Sequence, residues 1–194
     1  MTHLRKKTLL LATLGLALTT TFGARAQTSP YAGEQQRAIK ALDMREVAAL
    51  RQGQGLGYAK AAELNGYPGP MHTLELAEPL QLSTEQRAAT QRLMAEHKAR
   101  ARELGEAVVQ AEAELDKLFA ERQATPANVR EATQRVASLQ AQLRAEHLNT
   151  HLAQTALMSP AQALRYTDLR GYAAHTPAAP AEPGGRGSDR KHRH

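Results

Sequence analysis

Gln123-Ala124-Thr125-Pro126 interrupts a long stretch that is otherwise built for helix, and the reading of these four residues decides the fold. The Thr125 hydroxyl can cap a helix, and Pro126, whose missing N–H would be unpaired in any case, suits the first helical position. The chain therefore stops and restarts here. Upstream, Thr84 to about Gln123 holds no Pro and a single Gly and is dense in Ala, Glu, Arg, Leu and Gln, which favour helix. At 1.5 Å per residue this is one helix about 60 Å long. Its stripe of Leu93, His97, Arg100, Leu104, Val108, Ala111, Leu115 and Leu118 advances in steps of three and four and so stays on one side. Downstream, a second long helix reaches about Ala156 with the stripe Val129, Ala132, Val136, Leu139, Leu143, His147, Thr150, Gln154 and Leu157. So short a connection leaves an antiparallel hairpin as the arrangement of the two.

A repeated phrase marks both outer ends of the hairpin: Leu82-Ser83-Thr84-Glu85-Gln86 and Met158-Ser159-Pro160-Ala161-Gln162. In each, the Ser can accept from an exposed backbone N–H while the Gln three residues on reaches back to the Ser N–H, closing a capping box. Pro160 strengthens the second copy. The two phrases resemble the Leu-Thr-x-x-Gln repeats of the Spy/CpxP family of bacterial periplasmic proteins, with Ser in place of Thr at 83 and 159 and Met158 in place of Leu. The run from Gly57 to His72 is similar to the segment that precedes the first repeat in the heavy-metal resistance branch, and the resemblance covers residues 53 to 172. It implies an all-α fold in which hairpins pair into a dimeric cradle. It also implies a periplasmic stress-response protein, an ATP-independent chaperone or envelope accessory protein linked to heavy-metal resistance, with unfolded or envelope proteins as clients. Leu82, Ser83, Gln86, Met158, Ser159 and Gln162 would frame that cradle as structural residues.

Short helices flank the hairpin. Asp43 can cap a helix from Met44 to about Gln52; a second from Gly57 to Leu64 closes at Asn65-Gly66; Pro68-Gly69-Pro70 turns into a third from Met71 to Glu78. After the second repeat, a helix from Pro160 to about Tyr172 can fold back across the open end of the hairpin. Gly53-Gln54-Gly55-Leu56-Gly57 resembles a phosphate loop only in its glycines; without a preceding strand it reads as a hinge between short helices.

The N-terminus carries Arg5, Lys6 and Lys7, an apolar run from Leu9 to Leu18, and Ala24-Arg25-Ala26 at a cleavage position. This reads as a signal peptide over residues 1 to 26, with a mature chain from Gln27 exported to the periplasm. Residues 27 to 56 form an N-terminal region, 57 to 172 the helical domain, and 173 to 194 a disordered basic tail rich in Ala, Pro and Gly. No segment after the signal is apolar enough to cross a bilayer.

Cysteine is absent, which excludes disulfides, thiolate metal sites and cysteine nucleophiles. The high pI belongs to the ends. Of 25 Lys and Arg, four lie before residue 27 and four after 173, and two of the 19 acids lie in the tail, which leaves residues 27 to 172 with seventeen of each sign. A basic footprint for nucleic acid is missing. No enzyme constellation is present: there is no Gly-x-Ser-x-Gly elbow and no His-Glu-x-x-His. Alanine is plentiful and Trp absent, so the core is thin, and a homodimer is expected to complete it.

The histidines are the chemically suggestive residues. Equal rise in both helices would set His97 opposite residue 152, beside His151, with His147 one turn away. Three imidazoles, His97, His147 and His151, then form a candidate site for zinc, copper, nickel or cobalt, and Glu96 and Glu146 offer a further ligand or acceptors that orient the rings. This is the second functional reading, a metal sensor or buffer; no cofactor is required, and the ion would be zinc, copper, nickel or cobalt. Met71-His72 and the tail's His192 and His194 are weaker candidates.

Overall fold

The computed structural model describes residues 28 to 172; the signal-like segment and the basic tail lie outside the described residues. Residues 36 to 172 belong to one compact unit. Among the described residues there are six α-helices and no strand: α1 (Met44–Arg51), α2 (Lys60–Glu63), α3 (Pro70–Glu75), α4 (Thr84–Ala120), α5 (Pro126–Ala156) and α6 (Pro160–Leu169). The all-α hairpin expected from the sequence is present. None of these helices is long and apolar enough to cross a membrane.

Local chemistry sets the helix boundaries. Asp43, Ser83, Thr125 and Ser159 each close a capping box at the start of α1, α4, α5 and α6, respectively, and proline opens α5 and α6. α4 ends three residues short of Gln123, where Arg122 turns into the left-handed region (φ 56°). α2 is shorter than expected, because Gly57 (φ 82°) and the hydrogen bonds of Tyr58 to Gly55 and Lys60 to Gly57 form a turn ahead of it.

The α5 stripe is buried as expected at Val136, Leu143, His147, Thr150 and Gln154. On α4 the buried face is wider than the sequence stripe. Arg100 is exposed and paired with Glu103, whereas Ala101, Gly105, Val109 and Glu112 are buried. The cause is α1, which lies across α4: Ile39 and Leu50 join Ala101, Leu104, Val108, Val109 and Leu143 in one cluster. A Cβ on Gly105 would run into the Leu50 carbonyl, so glycine permits this crossing. Part of the cover assigned above to a second copy of the chain is thus supplied by its own N-terminal helix. A second cluster at the open end joins Ala77, Leu80, Leu82, Met158 and Tyr166.

Candidate functional site

An open cleft of ≈ 840 Å³ lies between the Gly53–Gly57 loop, α2, the start of α3, and the inner faces of α4 and α5. All four histidines among the described residues, His72, His97, His147 and His151, line it, together with Met71 and Met94. The loop forms its roof. A Cβ on Gly53 would crowd Arg102, and the corresponding positions on Gly55 and Gly57 lie against the His147 ring (3.8 Å) and the Lys60 side chain (3.3 Å). The hinge-like glycines therefore let the backbone pass close over the lining side chains.

The ring nitrogens are held in a common way. His97 Nδ1 lies 3.1 Å from Glu146 Oε1 and 2.9 Å from Thr150 Oγ1. The Thr150 hydroxyl donates to the Glu146 carbonyl, so its oxygen, like the carboxylate, accepts from His97. Nδ1 carries the proton and Nε2 keeps its lone pair. His151 Nδ1 donates to the Tyr67 carbonyl at 2.8 Å, and His72 Nδ1 faces Glu75 Oε2 at 2.8 Å, which fixes the same tautomer in both. An acceptor on one ring nitrogen is what orients metal-ligating imidazoles and raises their basicity.

His147 differs. It is 4% exposed, stacks on Tyr58 (centroids 5.9 Å) and meets the edge of His97 at 4.7 Å. Its buried Nε2 has no hydrogen-bond partner. Burial, with the neighbouring His97, brings its pKa down to about 4 against the pull of Glu146, so the ring is neutral at pH 7. A neutral imidazole with an unpartnered buried nitrogen is a donor that no proton competes for, and its chemistry fits a borderline or soft divalent ion.

The expected three-imidazole set does not close. No group of three or more His, Asp or Glu among the described residues is placed to hold an ion. His97 and His147 pack together, but His151 is drawn away by the Tyr67 carbonyl and lies over Gly69, with Glu63 Oε2 3.7 Å from its Nδ1. The partner of His97 across the hairpin is residues 147 and 150 rather than 152, because crossing helices do not keep the uniform register that equal rise assumes. Glu96 is exposed and does not line the cleft, whereas Glu146 orients His97.

The wall beside His151 is a polar cluster that the sequence reading missed. Fully buried Tyr166 donates to Glu63 Oε1 at 2.7 Å, and Arg170 Nε reaches the same oxygen at 3.2 Å. Burial, reinforced by the Glu63 carboxylate, raises the phenol's pKa and keeps it protonated. Their separation of about a hundred residues gave no sequence signal.

A family model described as heavy-metal resistance matches residues 55 to 165, more than half of the chain. The chain belongs to the heavy-metal resistance family. This family is part of the Spy/CpxP-like group of helical proteins, and the match spans the hairpin, both repeat phrases and the whole of α3, α4 and α5, the three helices that carry the four cleft histidines. No curated protein and no solved structure matches the chain.

Proposed function

We propose that this member of the heavy-metal resistance family is exported to the periplasm and holds a divalent ion of the zinc, copper, nickel or cobalt group in the histidine-lined cleft. One observation carries the reading. Four histidines share one cleft; three have Nδ1 committed to an acceptor and Nε2 left as a lone pair, and the fourth buries an Nε2 with no partner. His97 and His147 are the first donors, being in ring contact, and Met71, Met94, His72 and His151 lie within the same cleft for a soft or borderline ion. The protein acts by binding and release and catalyses no reaction. Export is supported by the basic and apolar pattern of residues 5 to 26.

Equilibrium dialysis of the purified protein against each metal tests the reading. His97→Ala/His147→Ala is expected to lose the tight site; retention equal to that of the unaltered protein would overturn it.

A second reading, a client-holding dimer, is favoured by large apolar side chains exposed around the open end of the hairpin: Leu64, Tyr67, Leu152 and Leu164, the last 69% exposed. Such residues can hold partly unfolded chains or a second copy weakly. Suppression of client aggregation in the presence of a chelator, lost on Leu152→Ser/Leu164→Ser, would support it; full activity of that variant would sink it.

A further inference from the structure

The walls of the cleft are cationic. Lys60, Lys98, Arg102 and Arg170 line it, against the single lining carboxylate of Glu63. Arg170 is already paired with Glu63. Lys60, Lys98 and Arg102 make no ion pair among the described residues, whereas neighbouring bases do, as Arg51 does with Glu106 and Arg100 with Glu103. Lys98 and Arg102 lie one turn apart on the same face of α4, a turn beyond Met94, and the stem of Arg102 rests against Gly53. The N–H groups of Gly55, Leu56 and Gly57 in the roof donate to no acceptor among the described residues. The imidazoles add donors, and the carboxylates nearest them outside the lining, Glu75 and Glu146, are engaged with His72 and His97.

A bare divalent cation entering here would meet three uncompensated like charges and would find only two imidazoles in mutual contact. Both shortfalls have one remedy, an ion that brings its own anionic ligand. Resting on the metal-binding reading above, we infer that the cargo of this cleft is a metal chelate of net negative charge, an ion carried by a small hydroxypolycarboxylate. The His97 and His147 imidazoles take the open positions of the ion, and Lys60, Lys98 and Arg102 meet the carboxylates. Lysine supplies a mobile point charge and arginine a planar fork suited to a carboxylate.

Equilibrium dialysis with nickel alone, citrate alone and the one-to-one nickel citrate complex, reading both nickel and radiolabelled citrate bound to the purified protein, separates the possibilities. The expected result is co-retention of nickel and citrate in equal amounts, with nickel alone bound at least about threefold more weakly, the order that like-charge repulsion at a partly solvated site implies. In Lys98→Gln/Arg102→Gln the two cargoes should move in opposite directions, the chelate weakened and bare nickel strengthened. Thermal melting by circular dichroism checks that this exposed pair of substitutions leaves the fold intact. Nickel retained without citrate, or citrate retained without nickel, would overturn the inference while leaving an ion site or an anion site, respectively. No nickel retained in any arm would instead remove the metal-binding reading beneath it.

Discussion

The side-chain amides of Gln86 and Gln162 hydrogen-bond each other in both directions, Nε2 to Oε1, at 2.9 and 3.0 Å. Each Oε1 also caps its own repeat by accepting the N–H of Ser83 or Ser159, and each Nε2 gives its second hydrogen to the other repeat, Gln86 to the Leu157 carbonyl and Gln162 to that of Leu80. The two phrases are therefore one device: two helix caps locked face to face across the open end of the hairpin. Every donor of both amides is used. Gln162→Ala should cost ~2 kcal/mol, the sum of a lost cap and lost cross-links. Gln162→Glu keeps the capping oxygen and removes the cross donors, so a comparable loss in urea unfolding assigns the energy to the interlock. A double substitution with Gln86→Ala should cost less than the two single losses added, because they share one network.

Gly105 lets α1 cross α4 at backbone contact with Leu50. Gly105→Ala gains helix propensity worth about 1 kcal/mol but forces the helices apart, and overpacking of this kind costs about 1–3 kcal/mol. The net expectation is a lower urea midpoint. An unchanged or raised midpoint would show that α1 does not pack as described.

Tyr166→Phe removes the hydroxyl that donates to Glu63 and leaves the carboxylate with Arg170 alone on that oxygen. Breaking a buried bond to a charged group should cost about 1.5–3 kcal/mol, read as a lower melting temperature. Retained stability would mean that water replaces the phenol there.

His147 gives the metal-free protein an acid limit. Its folded pKa of about 4 lies below the ordinary 6.5, so between these values the unfolded chain binds a proton that the folded protein does not. Stability therefore falls as pH drops from about 6.5 to about 4, by up to about 3 kcal/mol for a shift of this size. His147→Gln should flatten that segment of the urea-stability profile; an unaltered slope would assign the proton uptake to other groups.

How much of this was legible in the sequence depends on the range of the interactions. The four capping boxes are local, and they located α1, α4, α5 and α6 at their starts. The α5 stripe was read correctly because α5 buries one face. The second buried face of α4, through Ala101, Gly105 and Val109, was not, because small residues carry little hydrophobic signal and α1 reaches them from fifty residues away. Gly105, a lone glycine within a strong helix former, was the one available hint. The sequence set His97 beside His151, whereas the fold sets it against His147; Glu146 was foreseen as an acceptor for a ring, but the Tyr67 carbonyl depends on tertiary placement. Glu75, one turn after His72, could also have been anticipated.

The central claim is that the Nε2 nitrogens in the cleft are donors for a metal ion. Imidazole ¹⁵N–¹H correlation spectra of the labelled protein, recorded during zinc titration, observe those nitrogens directly. The account predicts that Nε2 of His97 and His147 shifts at one equivalent of zinc while Nδ1 of His97 stays protonated on Glu146, and that His97→Ala removes the response of His147. Zinc-dependent shifts confined to other histidines, with His97 and His147 unmoved, would contradict it.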